Sequence, residues 1–263
     1  MKNQYFGDVN DYRKYGLIRL LVDGGKIKTG VCWMLTPDDT RADGKFTEYL
    51  ADPKKYKDFD PDLYEFLSQC ISSNARNVLE VVKSDKFPST VFYNPILKDD
   101  AVQREQYFSN MYNLFQDVDL IFFDPDNGLE VKSKLLGQKD SSKYLYWSEV
   151  VECYKSGHSI LIYQHFIRED RSKFIARMLE NIHTKTGSKN TIYFQTSSVV
   201  FFLICQDKHN QYFLNKSRFI FHKWDGQIQV FPQIKDQVTN NVAVLIDKFV
   251  ESLKECSLGF TDK

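Results

Sequence analysis

The residues best placed to do chemistry fall in one short run. Residues 120–123 are apolar, and Asp124-Pro125-Asp126-Asn127-Gly128 follows at once. Asn-Gly favours positive φ, and Asp and Pro are common in turns, which accounts for Asn127 and Gly128. Turn chemistry explains less well why two carboxylates stand one residue apart at the end of an apolar strand, joined by a stiff proline. Asp124, Pro125, Asp126 and Asn127 are therefore the candidate catalytic residues. A carboxylate there can accept a hydrogen bond from an amino group, or share a divalent cation with its neighbour. A second run, Tyr163-Gln164-His165, closes another apolar segment and brings an imidazole, with Arg168 just beyond. A lone His or Arg is more often structural. Their place after a strand makes His165 and Arg168 candidates for substrate contact.

These runs meet only if the segments before them lie side by side. Residues 30–36, 118–124 and 158–164 read as continuous apolar strands of a sheet covered on both faces. Asp8 or Asn10 can cap a first helix running through residues 15–22, which the Gly24-Gly25 pair ends. Helical spacing returns at Leu63, Phe66, Leu67 and Cys70, and at Tyr107, Met111, Leu114 and Phe115. Further helices are expected at 147–154, 168–183 and 240–254, and residues 132–143 read as a polar surface loop. The last third reads as strands at 191–197, 198–205, 211–215 and 218–224. The predicted fold is one α/β domain over residues 1–263, a doubly wound, mainly parallel sheet with antiparallel strands near the C-terminus. In such sheets ligands bind at the carboxyl ends of the strands, where the chain reverses its direction of winding. Thr36-Pro37-Asp38-Asp39, after the first strand, belongs to the same rim.

Composition narrows the classes. Among 263 residues, 35 basic and 35 acidic side chains cancel. Neutrality excludes a grip on nucleic acid by bulk charge and leaves room for a local basic surface. The five cysteines (Cys32, Cys70, Cys153, Cys205 and Cys256) form no CxxC pair or Cys/His cluster, so neither a zinc site nor a disulfide framework is indicated. The longest apolar run, 199–205, is too short to span a bilayer, and no membrane association is expected. The N-terminal residues hold no apolar signal core, and a cytoplasmic protein is expected. No GxGxxG, Walker A, HExxH or GxSxG motif occurs.

The opening Gly7-Asp8-Val9-Asn10-Asp11-Tyr12-Arg13-Lys14-Tyr15 and the Asp124-Pro125 turn carry a resemblance. The chain resembles class I S-adenosylmethionine-dependent methyltransferases. More narrowly, it is similar to the bacterial 23S rRNA adenine-N6 methyltransferases, which open on a Gly-Asn-x-Ala-Asp-Val-x-Lys-His helix. Gly7, Asp11 and Lys14 stand at the Gly, Asp and Lys of that opening, and Tyr15 stands at its final His. The resemblance implies a Rossmann-like, methyltransferase-type sheet and an S-adenosylmethionine site. Thr36 and Asp38 would lie at its methionine end, Glu80 at the ribose, and Lys14 and Tyr15 nearby. It also implies that Asp124-Pro125-Asp126-Asn127 stands where the family has its catalytic Asp-Pro-Pro-Tyr loop. The glycine-rich cofactor turn is absent, and Asp126-Asn127 replaces Pro-Tyr. A second resemblance, to bacterial proteins sharing FGDxNDYxKYGLLR, WxLTPD and DPDNGLE segments, has no activity attached to it.

The implied reaction is methyl transfer to an amino group, with a nucleobase of a nucleic acid as acceptor, flipped out if it lies in a duplex. Two other classes fit the same residues. One is a Mg-dependent phosphohydrolase or nuclease with Asp124 and Asp126 on the metal; the other is a module that kept the fold without the chemistry. Under the first reading Asp124→Asn, nearly isosteric, is expected to stay folded and lose turnover.

Overall fold

The computed structural model describes residues 1–40 and 46–234. In chain order the elements are α1 (Val9–Val22), β1 (Thr29–Cys32), α2 (Pro53–Tyr56), α3 (Pro61–Ser72), α4 (Leu79–Lys83), β2 (Thr90–Tyr93), α5 (Ala101–Leu114) and β3 (Leu120–Phe123). They continue with β4 (Gly128–Leu129), β5 (Tyr144–Leu145), α6 (Trp147–Lys155), β6 (Ser159–His165), α7 (Arg171–Thr186), β7 (Asn190–Gln195), β8 (Val199–Ile204), α8 (Asp207–Lys223) and β9 (Gln229–Ile234). Seven strands form one mixed sheet in the order β2-β1-β3-β6-β8-β7-β9, and β4 and β5 form a small separate pair. The strands β2, β1, β3 and β6 are parallel. The next three pair antiparallel: β8 on β6, β7 on β8, and β9 on β7.

The apolar runs explain this layout. Leu120, Ile121, Phe122 and Phe123 are all fully buried, because alternate residues of β3 point to opposite faces and both faces are covered. Leu120 and Phe122 pack with α1, α3, α4 and α8. Ile121 and Phe123 pack with α5, α6 and α7 on the other side. From β1 the chain turns to β2 through α3 and α4 on the first face. From β3 it turns the opposite way, to β6, through α6 on the second. The crevice between the carboxyl ends of β1 and β3 is therefore the switch point of the sheet.

The sheet is mixed rather than mainly parallel, with as many antiparallel as parallel pairs; two further expectations need correction and one lies out of reach. Residues 211–215 and 218–224 are not strands but parts of α8. Its buried residues His209, Phe213, Ser217 and Ile220 recur at intervals of four, four and three, the stripe of one helical face. Burying that stripe on the sheet outweighs the strand preference of the local aromatics. The first strand stops at Cys32, because Met34 adopts φ 45° and kinks the chain out of the ladder. The helix expected at 240–254, like Cys256, lies outside the described residues. The polar stretch 132–143 is a loop ending in a short 3-10 turn, Ser141–Lys143. Among the described residues no helix is long and apolar enough to cross a membrane, and the four cysteines described are buried thiols.

The approach of α1 to α8 is set by one glycine. A Cβ built on Gly16 would stand 2.0 Å from the ring of Trp224, itself fully buried. Gly16→Ala is expected to lower stability by about 1–3 kcal/mol through overpacking. Adding Trp224→Phe, which removes the clashing ring, should recover part of that loss. Urea midpoints of the three proteins check this, and an unchanged midpoint for Gly16→Ala would contradict the packing described.

Candidate functional site

Asp8 starts the site by capping α1. Its carboxylate accepts from the backbone N–H of Asn10 (2.8 Å) and Asp11 (2.9 Å), which satisfies two of the helix's orphan donors. Asp11 and Lys14 follow at one-turn spacing and point to the same side, into the sheet's switch point. Lys14 Nζ lies 2.6 Å from Asp11 Oδ1 and 2.7 Å from Asp124 Oδ2. All three side chains are buried. Burial works against the Lys14 charge, but the two carboxylates outweigh it and hold the lysine's pKa above its ordinary value. The rings of Tyr15, Trp33 and Tyr163 surround the ammonium at 5.1–5.6 Å.

The second charged group comes from the start of the chain. The Met1 ammonium sits between the two strand ends, 3.3 Å from the carbonyl oxygen of Met34 and 2.9 Å from that of Asp124. It also lies 2.7 Å from Asp126 Oδ1. Thr36 Oγ1 donates to Asp126 Oδ2 at 2.7 Å. Burial raises the Asp126 pKa, but the ammonium overcomes that effect and the carboxyl lies below its usual range. Above these groups opens a cleft of about 430 Å³, walled by Asp8, Asp11, Lys14, Tyr163 and His165, with Phe46 among the aromatics that line it. Burial lowers the His165 pKa more than Asp124 and Asp126 raise it, so the ring is neutral near pH 7. On the far side of His165, Asn127 and Phe166 lies a second cavity of about 300 Å³.

The structure thus brings together most of the residues singled out by sequence. Asp124, Pro125, Asp126, Asn127, Lys14 and His165 line the cleft. Thr36 reaches it through Asp126, and Tyr15 lies beneath it, donating to Asp11 Oδ2 at 3.3 Å. Asp38 is exposed at the margin and accepts from the backbone N–H of Gln4. Glu80 is elsewhere: it lies on α4, ahead of β2 rather than at that strand's carboxyl end, and pairs with Lys83 at 3.7 Å. Arg168 is exposed and outside the cleft wall. Met1, Lys2, Asp8 and Asp11 are site residues that the strand-end reasoning missed. The one-turn spacing of Asp8 and Asp11 with Lys14 was the signal for two of them.

No family model matches this chain, and no curated protein does. Among the described residues, no group of three or more His, Cys, Asp or Glu is arranged to hold a metal ion.

Two predictions follow from the charges. Asp124→Asn, although near in shape, leaves Lys14 with a single carboxylate in a buried place. It should cost roughly 3–5 kcal/mol, and adding Lys14→Met should restore most of it. Chemical denaturation checks both; a lone Asp124→Asn as stable as the parent contradicts the pairing. The second concerns pH. Burial, and then the nearby Asp11 charge, raise the Asp8 carboxyl from 3.8 to about 7. Between those values the folded protein keeps a proton that the unfolded chain has released, so this group makes stability fall as pH rises across that window. Asp8→Asn keeps a good cap and cannot ionise. Its stability should fall less steeply than the parent's between about pH 4 and 7, read as urea midpoints; parallel profiles would show that Asp8 ionises normally.

Proposed function

We propose that this protein is an S-adenosylmethionine-dependent methyltransferase of the Rossmann-like type, acting on an amino group of a nucleobase. The observation that carries the reading is the cleft at the switch point, where an Asp-Pro turn at the end of β3 faces the kinked end of β1. The sheet order supports it: β8 runs antiparallel between β6 and β7, which point the same way, as in a methyltransferase-type sheet. The residues present fit the ammonium at the methionyl end of the cofactor. Two strand-end carbonyls and the Asp126 carboxylate form a seat for a primary ammonium, and they hold one. When bound, the cofactor supplies an electrophilic methyl group on sulfur.

The chain's own part is positioning and electrostatics. The Asp124 carboxylate, paired with Lys14, and the Pro125 carbonyl can accept the two hydrogens of an amino group. That arrangement turns the nitrogen lone pair toward the methyl. Asn127 can donate or accept beside them, and neutral His165 offers a hydrogen bond without adding charge. Phe166 and the second cavity leave room for a planar base beyond His165. Asp124 and Asp126 are each neutralised by a cation of the chain, which favours this reading over a Mg-dependent phosphohydrolase.

Calorimetry with S-adenosylmethionine and S-adenosylhomocysteine tests the proposal. Binding of either is expected, with a shallow salt dependence for any nucleic-acid substrate because few phosphates are neutralised. Absence of binding to both, with turnover of phosphate esters in Mg²⁺, would replace it by the hydrolase.

A further inference from the structure

Met1 fills the crevice between β1 and β3 in a way that matches one end of the proposed cofactor. Its ammonium takes the two strand-end carbonyls and Asp126, and its thioether sulfur lies 3.7 Å from Lys14 Nζ. An α-ammonium carbon joined through two methylenes to sulfur is the skeleton of the methionyl half of S-adenosylmethionine. In Met1 a peptide carbonyl stands where the cofactor has its carboxylate, and it accepts from the backbone N–H of Thr36 at 2.9 Å.

The segment that carries Met1 is fastened at the surface. Lys2 Nζ pairs with Asp39 Oδ2 at 2.7 Å, and the Gln4 amide donates to Asp39 Oδ1 at 3.0 Å. The Asn3 side-chain oxygen accepts from the backbone N–H of Val78 at 3.1 Å. Asp39 is thus an anchor on the outer side of a strap whose inner end lies in the site. The anchor is partly exposed, whereas the seat of Met1 is buried.

We infer that Met1 is a built-in competitor: it occupies the subsite for the methionyl end of the cofactor, which binds as the first residues withdraw. This rests on the function proposed above. Apparent affinity is then the intrinsic affinity reduced by the fraction of molecules with the strap open. A strap closed in nine molecules of ten weakens binding about tenfold.

The test compares S-adenosylhomocysteine binding, by calorimetry, to the full chain, to the chain lacking residues 1–4, and to Asp39→Ala. The shortened chain should bind about tenfold or more tightly than the full chain, and Asp39→Ala should shift the same way by a smaller factor. Equal affinity in all three overturns the inference. Circular dichroism checks that the shortened chain folds; if it does not, Asp39→Ala decides alone. Should S-adenosylhomocysteine bind none of them, the proposed function falls, and methionine methyl ester tests the subsite by itself. A rise in melting temperature with the ester, in the shortened chain or Asp39→Ala but not in the full chain, upholds the competitor role. No rise in either overturns it as well.

Discussion

Lys14 carries a charge on a side chain that is almost wholly buried, and the arrangement around it follows from that. A buried ammonium without partners loses several kcal/mol of hydration with nothing in return. Here one carboxylate comes from its own helix and a second from the end of β3, 110 residues away in sequence. Three aromatic rings complete the enclosure and add attraction through their faces. Any placement of α1 other than over the carboxyl ends of β1 and β3 would part the Asp11–Lys14 pair from Asp124. The ion triad therefore fixes where the first helix lies, and with it the wall of the cleft.

The same constraint sets the electrostatics of the site. Asp8, Asp11, Asp124 and Asp126 stand close together, a concentration of like charge that would not survive burial alone. Lys14 offsets two of them, the Met1 ammonium offsets Asp126, and Asp8 keeps a proton up to about 7. Lys2 adds a further cation 3.8 Å from Asp126. A chain without net charge thus contains a site that is also close to balanced. Such a site holds groups by directed hydrogen bonds more than by long-range attraction, which suits orienting an amino group.

How much of this could be read from the residues depends on the kind of signal. The central strands were legible because runs such as residues 120–123 are apolar on both faces, which only a covered parallel sheet requires. The catalytic-looking turn was legible for the related reason that strand ends define the rim. In α8, Phe213 and Ile220 belong to a period of three and four that interleaves with aromatics on the other side, so a local strand preference hid the helix. The triad was half legible: Asp11 and Lys14 share a helical face in sequence, but nothing local says that Asp124 completes it. The resemblance puts Glu80 at the ribose, but Glu80 lies in α4 (Leu79–Lys83) instead. The place of Met1 has no sequence signal at all, since it depends on two carbonyl oxygens, one of them at the kinked Met34.

The kink also bears on what the site can hold. In a glycine-rich phosphate loop the backbone presents N–H groups, and an anion is drawn in. At this switch point the groups that surround the Met1 ammonium are acceptors: the carbonyl oxygens of Met34 and Asp124 and the carboxylate of Asp126. A pyrophosphate brought to the place of the Met1 ammonium would meet three oxygens. An ammonium meets three partners at hydrogen-bond distance, which is the state observed. A turn without glycines is therefore not a damaged phosphate site here. It leaves a seat of the opposite polarity, selective for a cation on a slender chain, and that polarity separates the ligand expected here from nucleotides that enter switch points phosphate first.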